Sequence, residues 1–207
     1  MTYRDTLAAR DALHAIAARQ GGYVTSAQAR GAGYGHSHLS YHLGTGHLER
    51  VGHGLYRVRA MPLDEHDELI RLALWSRDRS GQPRAVVSHD TALLLHDLSD
   101  VLPGQTHLSV PPQFRKPTPK NCVLHVARVE ASDLRPWTVF SVTTAGRTLA
   151  DAADSATVTT ELLTQAVTQA LRRGLVTAKE MSRRAAADPA GRLVLALDTV
   201  TGSRGKP

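Results

Sequence analysis

The sequence predicts an α+β fold in two domains. Residues 21–59 follow the order helix, turn, helix and tight hairpin, which is the order of a winged helix-turn-helix. Beyond residue 84, short strand-like segments alternate with amphipathic helical ones, which predicts a mixed α/β domain with a helical C-terminal part. With 207 residues the chain has room for both. We expect domains at residues 1–60 and 61–200, and a disordered tail at 201–207.

The elements of the first domain are predicted from helical periodicity and from the residues that begin and end helices. Ala9, Leu13 and Ile16 share one face of a helix over residues 4–20, and two glycines end it. The further elements are a short extended piece at 23–24, a helix over 27–31 capped by Thr25 or Ser26, a helix over 36–44, and strands over 48–51 and 55–59.

The second domain is predicted in the same way. An amphipathic helix over residues 61–78 has Leu63, Ile70, Leu74 and Trp75 on its buried side; the sequence leaves open which domain it joins. Predicted strands cover 85–87, 106–110, 122–129 and 138–142, and predicted helices follow Ser88 and cover 144–151, 160–173, a segment capped by Thr177 and Glu180, and 192–197.

Composition and charge narrow the class of protein. No apolar run approaches the length of a membrane span, and the N-terminal residues lack the apolar core of a signal peptide. The single cysteine, Cys122, excludes an intrachain disulfide. We therefore expect a cytoplasmic protein with no membrane partner.

Positive charge is concentrated at the N-terminal end. Residues 1–60 hold seven Arg, no Lys and three acids, whereas 61–207 hold eighteen basic and sixteen acidic residues. The net charge of +6 is thus divided as +4 and +2. A basic module on a nearly balanced body indicates a polyanionic partner, such as DNA, for that module.

The helix over 36–44 has the composition of a recognition helix. Leu39 and Leu43 are predicted to anchor it, which leaves polar side chains for a DNA groove. Alternation along the hairpin places Val51, Tyr56 and Val58 on one side and arginines on the other. The residues predicted to contact DNA are Ser37, His38, Ser40, Tyr41, His42, Arg50, His53, Arg57 and Arg59. The alternative is a helical module that binds protein.

Three other groups of residues suggest a zinc site, a catalytic triad and an ion pair. Each is weaker evidence of function than the DNA-binding pattern. His38 and His42 lie four apart, but a zinc site needs further ligands and no cysteine is near. Ser88, His89 and Asp90 resemble a catalytic triad, yet neighbours on a helix point about 100° apart, so a helix cap at Ser88 is preferred. Arg147 and Asp151, four apart, are expected to form a surface pair.

A nuclease centre is likewise not indicated. None of the four lysines follows an acid by two positions, so the pattern that holds a catalytic metal is missing. We expect no enzyme activity, no cofactor and no bound metal.

Three segments carry a family resemblance: LERVGHGLYRV, VVSHDTALLLHDLSDVLPGQTHLSVP and FSVTTAGRTLADAAD. Together they resemble the AbiEi antitoxins of type IV toxin–antitoxin systems over roughly residues 5–175. The resemblance implies a winged helix that binds inverted-repeat operator DNA and represses its own operon. It also implies a second domain that counteracts a nucleotidyltransferase toxin, directly or only functionally.

The alternatives to a DNA-binding antitoxin are three. The chain could be a stand-alone winged-helix regulator without a toxin, an antitoxin whose winged helix has lost DNA contact, or, least supported, an enzyme. Inverted repeats would place two copies on one duplex whether or not the protein dimerises in solution.

Overall fold

The computed structural model describes residues 3–202, and the side chains of 7–200 and 202 within them. The chain divides into two compact units. Unit 1 contains residues 1–84 and 138–140, and unit 2 contains residues 85–137 and 141–207. Each unit combines helices with one β-sheet, which confirms the predicted α+β class.

Unit 1 begins with three helices interleaved with three short strands. Its elements are α1 (Tyr3–Ala18), β1 (Tyr23–Thr25), α2 (Ser26–Gly31), α3 (His36–Gly44), β2 (Leu48–Gly52), β3 (Leu55–Val58) and α4 (Asp67–Ser76). The capping box that begins α2 pairs Thr25 with Gln28: each side chain accepts a hydrogen bond from the other residue's backbone N–H.

The three strands form an antiparallel sheet in the order β1-β3-β2. One face carries Val24, Leu48 and Val58, which join the core formed with α1, α2 and α3. The other face carries Tyr23, whose hydroxyl donates to Asp67 of α4 at 2.9 Å. The sheet therefore lies between the first three helices and α4.

The helix α4 is shorter than predicted. Residues 61–66 are not helical, because the Asp64 carboxylate accepts a hydrogen bond from the His66 N–H at 2.8 Å and forms a local turn instead. Leu63, predicted to be buried, is 68% exposed. At the other end, Asp78 accepts hydrogen bonds from Ser80 and Gln82, which accounts for the end of the helix at Ser76.

Unit 2 contains a five-stranded mixed sheet, five α-helices and a short 3₁₀ helix (Ala131–Asp133) among its described residues. The elements are β4 (Val86–Val87), α5 (His89–Leu95), β5 (Thr106–Val110), β6 (Cys122–Val126), β7 (Leu134–Pro136), β8 (Ser141–Thr143), α6 (Ala145–Ala153), α7 (Thr160–Arg172), α8 (Ala178–Ala185) and α9 (Arg192–Gly202). The strand order is β6-β5-β4-β8-β7, with β4–β8 and β5–β6 parallel.

The core of unit 2 is mainly helical. Leu93 of α5, Leu149 of α6, Leu163 of α7, Met181 of α8 and Leu193 of α9 are all fully buried in one cluster. Small residues between them, chiefly alanines, let the helices approach closely. The scarcity of aromatic residues in the sequence is thus matched by a core of Leu, Val and Ala.

Two strands of unit 2 differ from the prediction. Residues 138–140 are irregular, and the strand predicted over 138–142 begins only at Ser141. The strand β7 was not predicted, because it is three residues long and ends in Pro136. A proline is tolerated there because β7 lies at an edge of the sheet.

The compact units divide between residues 84 and 85, so α4 lies in unit 1; the sequence had left its domain open. The functional division at residue 60 stays a prediction. Of the predicted tail, residues 201 and 202 belong to α9, and 203–207 lie outside the described residues. Within residues 3–202, no helix is both long and apolar enough to cross a membrane.

Candidate nucleic-acid interface

The hairpin of unit 1 is attached to the start of α2. The Gly54 carbonyl accepts a hydrogen bond from the Ser26 N–H at 2.8 Å. Gly54 has a φ of +63°, and a Cβ there would lie 3.0 Å from the Ser26 Oγ, so this position requires glycine. The contact sets the hairpin tip, Gly52 to Gly54, at a defined place beside the α2–α3 pair.

The outward face of α3 consists of hydroxyl groups. Ser37, Ser40 and Tyr41 are exposed and have the 3–4 residue spacing of one helical face. On the opposite side Leu39 is buried and Leu43 packs against the core, as the sequence predicts for the anchors. The face is therefore open to a ligand and is held rigidly from behind.

His38 and His42 have a different environment from these hydroxyls. Both are half-buried, with ring centroids 5.6 Å and 5.2 Å from that of the buried Tyr34. Burial, helped by the nearby His47, His38 and His14, lowers the pKa of His42. The two imidazoles thus support α3 from its flank.

The three hairpin arginines also differ in environment. Arg50 is exposed, its Nε donates a long hydrogen bond to the Gly52 carbonyl at 3.5 Å, and no carboxylate among the described residues pairs with it. Arg59 is exposed but lies 3.8 Å from the carboxylate of Glu49. Arg57 is half-buried, and its Nη2 donates to the Met61 carbonyl at 2.6 Å. Arg50 is therefore the most available cation of the hairpin.

The register of the hairpin corrects the predicted alternation. Arg50 pairs with Tyr56, and Glu49 pairs with Arg57. Directly paired residues of antiparallel strands share a face, so Arg50 lies on the face of Tyr56 and Val58, and the prediction of a single row of arginines is wrong. A β-bulge between Arg50 and Gly52 also interrupts the simple period of two.

The residues predicted to contact DNA are thus only partly brought together. Ser37, Ser40 and Tyr41 of α3 and Arg50, His53 and Arg59 of the hairpin are exposed, whereas His38, His42 and Arg57 are half-buried. Sequence reasoning missed the Ser26–Gly54 attachment and the role of Tyr34. An aromatic residue between two glycines, as in Gly33–Gly35, is the signal that could have indicated a buried anchor.

A second polar cluster lies in unit 2, around Ser88 at the start of α5. The Ser88 Oγ accepts a hydrogen bond from the Ser109 Oγ at 2.9 Å and lies 2.9 Å from the Nδ1 of His89. Ser88 occupies the N-cap position without a side-chain hydrogen bond to the helix. Ser88 therefore lies at the predicted N-cap position, but its side chain does not make the predicted hydrogen bond to a backbone N–H of the helix.

His89 and Ser88 do meet, although helical geometry predicted that they would not. His89 has a φ of +51°, which departs from helical backbone and turns its ring back to Ser88. Asp90 points elsewhere and accepts from Ser155 and Thr157. Ser88 is fully buried, so its hydroxyl has no solvent-facing surface.

Three imidazoles pack together beside this serine. The rings of His89 and His125 stack with centroids 3.4 Å apart, and the His125 Nε2 lies 3.2 Å from the His107 Nδ1. Burial and the neighbouring His125 and His107 lower the pKa of His89 to about 3. Among the described residues, no group of three or more His, Cys, Asp or Glu side chains is arranged to hold a metal ion.

Arg147 and Asp151 belong to a partly buried ion network. Arg147 Nε lies 2.7 Å from Asp151 Oδ1, as the four-residue spacing predicts. Asp133 pairs with both Arg147 and Arg184, and Arg184 also pairs with Glu180. The Arg147 and Asp151 side chains are only 22% and 7% exposed, so the prediction of a surface pair is wrong.

Comparisons with known proteins bear on unit 1 and on the fold. The whole chain is similar in structure to the RV2827C protein from Mycobacterium tuberculosis, with a TM-score of 0.60, 16% identity, and coverage of 94% of this chain and 77% of that one. At that identity the likeness concerns the fold. No curated protein matches the sequence. Residues 11–59 match the model of a family described as "Transcriptional regulator, AbiEi antitoxin", and for this segment the predicted AbiEi relationship is confirmed.

Proposed function

We propose that this chain is the antitoxin and autorepressor of an AbiE-like type IV toxin–antitoxin system. Residues 1–60 act as a winged helix-turn-helix that binds inverted-repeat operator DNA in the cytoplasm, and the remainder counteracts a nucleotidyltransferase toxin without catalysis. The match of residues 11–59 to antitoxin regulators supports this proposal.

The observation that carries the DNA-binding part is the arrangement of α3 and the hairpin in unit 1. The hydroxyl face of α3 is exposed, and the hairpin tip with Arg50 is attached to α2 through Ser26 and Gly54. A rigid helix for the major groove beside a cationic hairpin for the backbone or minor groove is the geometry of winged-helix DNA binding. Repression follows from occupancy of the promoter by the bound protein.

The experiment that tests DNA binding is a titration of the chain on its own upstream region, followed by footprinting. We expect protection of inverted repeats about one or two helical turns apart and an affinity that falls steeply as salt is raised, because phosphate contacts release counterions. Arg50→Ala should weaken binding about tenfold without loss of fold. Arg79→Ala, an exposed arginine beyond α4, is the charge-matched control and should bind as the wild type does.

The antitoxin part is tested separately by co-expression. The wild type is expected to restore growth of cells that express the nucleotidyltransferase encoded beside it, and Arg50→Ala is expected to do the same if neutralisation does not need the operator. Operator binding without rescue would favour the stand-alone regulator. Rescue without operator binding would favour an antitoxin whose winged helix has lost DNA contact.

A further inference from the structure

The exposed face of α3 lacks the side chains that distinguish bases strongly. From His36 to Leu48 the sequence contains no Arg, Lys, Asn, Gln, Asp or Glu. Those are the residues that form bidentate pairs with guanine or adenine or that accept a hydrogen bond from cytosine. A serine hydroxyl can donate or accept a hydrogen bond, so it shows no strong preference for one base. Ser37, Ser40 and Tyr41 can therefore position α3 in a groove but discriminate weakly among base pairs.

Two of the three imidazoles of α3 do not fill this gap. His38 and His42 lie on the flank of the helix against Tyr34, and burial favours the neutral form of His42. A neutral, half-buried ring adds little attraction for phosphate. The side chains that remain for selecting a sequence are the exposed His36 at the start of α3 and those of the hairpin tip, and of these only Arg50 is a permanent cation.

The tip has the shape and charge of a minor-groove probe. Gly52 and Gly54 carry no side chain, so between Arg50 and Leu55 only Val51 and the exposed His53 add bulk. Such a slim tip suits the minor groove, which is about 6 Å wide. Arginine and histidine favour narrow A·T-rich minor grooves because the negative potential is strongest there.

The position of the tip is defined by the fold. The hydrogen bond from Ser26 to Gly54 attaches the turn to the start of α2, and the bulge after Arg50 redirects the strand. Arg50 shares a face with Tyr56 and Val58, which is the face that packs on α1 to α3. Arg50 thus projects on the same side of the sheet as the recognition helix.

We infer that the operator is selected mainly through the minor groove at the hairpin tip, with Arg50 as the discriminating side chain, while α3 positions the module. The preferred DNA carries A·T pairs in a narrow minor groove where the tip lands. This inference rests on the proposed DNA-binding function.

The inference is tested, with the entire chain, by changing chemical groups of the DNA in one groove at a time. Replacing adenine with 2,6-diaminopurine under the tip adds an amino group to the minor groove and leaves the major-groove edge unchanged. Replacing thymine with uracil under α3 removes only the major-groove methyl group. We expect the first exchange to weaken wild-type binding about tenfold or more and the second to change it less than about threefold.

The variants assign the effect to Arg50. For Arg50→Ala, the affinities for the adenine and diaminopurine duplexes should agree within about threefold, since the side chain that senses the groove is gone. Arg71→Ala removes the same charge from the exposed side of α4, on the other side of the sheet, and should keep the tenfold preference.

Three contrary outcomes distinguish a failure of this inference from a failure of the proposed DNA-binding function. Sensitivity to the α3 exchanges with indifference to diaminopurine would overturn the minor-groove inference and leave the regulator intact. A tenfold preference retained by Arg50→Ala would remove Arg50 as its source. Failure of the wild type to bind any upstream duplex would contradict the proposed function and the inference together.

Discussion

Arg50 and Arg57 illustrate how residues of one type differ at the scale of single side chains. Both are hairpin arginines, and by sequence alone both were predicted to contact DNA. Arg57 instead donates to the Met61 carbonyl and lies beside Gly22, where a Cβ would touch its side chain at 3.9 Å. Arg57 therefore holds the chain segment after the hairpin, and Arg50 is the more available of the two to a ligand.

A stability measurement distinguishes these two residues. We expect Arg57→Ala to lower the free energy of unfolding by about 1–2 kcal/mol, because a charged hydrogen bond and the packing of the side-chain stem are lost. The exposed Arg50→Ala should change it by less than about 0.5 kcal/mol. Urea unfolding of both variants measures this, and equal effects would show that Arg57 is as free as Arg50.

At the scale of elements, ion pairs connect α6 and α8 to the turn before β7. The Asp133 carboxylate receives Arg184 Nη2 at 2.8 Å on one oxygen and lies 3.6 Å from Arg147 Nη1 on the other. Gly146 makes this approach feasible, since a Cβ there would meet the Glu180 carboxylate and Arg184 Nε. The segment that contains Gly146, Arg147 and Asp151 is thus explained by packing within unit 2.

Removal of the shared carboxylate tests this network. Asp133→Asn keeps the shape of the side chain but removes the anion that the two guanidinium groups share, which leaves Arg147 with Asp151 and Arg184 with Glu180. We therefore expect a loss of about 2 kcal/mol, below the cost of breaking a fully buried pair. Asp11→Asn is the matched control, because Asp11 is 72% exposed in its pair with Arg10 and should cost less than about 0.5 kcal/mol. Chemical denaturation that found both variants equal would mean that the network adds nothing to stability.

For the molecule as a whole, the buried imidazoles of unit 2 make stability depend on pH. Burial lowers the pKa of His89, His96 and His125, and the nearby histidines contribute for His89 and His125. A histidine with a lowered folded-state pKa takes up its proton more readily in the unfolded chain. Its stabilising contribution is complete above the unfolded value near 6.5 and is lost as pH falls towards the folded value.

We therefore expect the free energy of unfolding to decrease from about pH 6.5 downward, at most by about 1.4 kcal/mol per pH unit from His89, with His96 and His125 acting in the same direction. Burial raises the pKa of Asp151, which acts in the opposite sense because its protonation favours the folded state. Thermal unfolding from pH 8 to pH 4 should show the decline. His89→Gln should flatten the curve, and the exposed His53→Gln should not; parallel curves for all three proteins would refute this origin of acid sensitivity.

The sequence by itself determined the class of fold, the order of elements in the first domain, and most helix ends. Hydrophobic periodicity, glycine stops and the Thr25 and Thr177 caps act within a few residues, so they can be interpreted without the fold. The α3 anchors Leu39 and Leu43 followed from the same local pattern.

Only the tertiary structure decided which polar side chains remain available. The bulge in the hairpin placed Arg50 on a different face from the other hairpin arginines. Arg57 donates a hydrogen bond to the Met61 carbonyl, and the rings of His38 and His42 pack near the ring of Tyr34. In unit 2 the structure brought His89, His107 and His125 together from three separate elements. The faces of the hairpin arginines depend on strand register, and the histidine group depends on residues distant in sequence. Local periodicity carries no information about either.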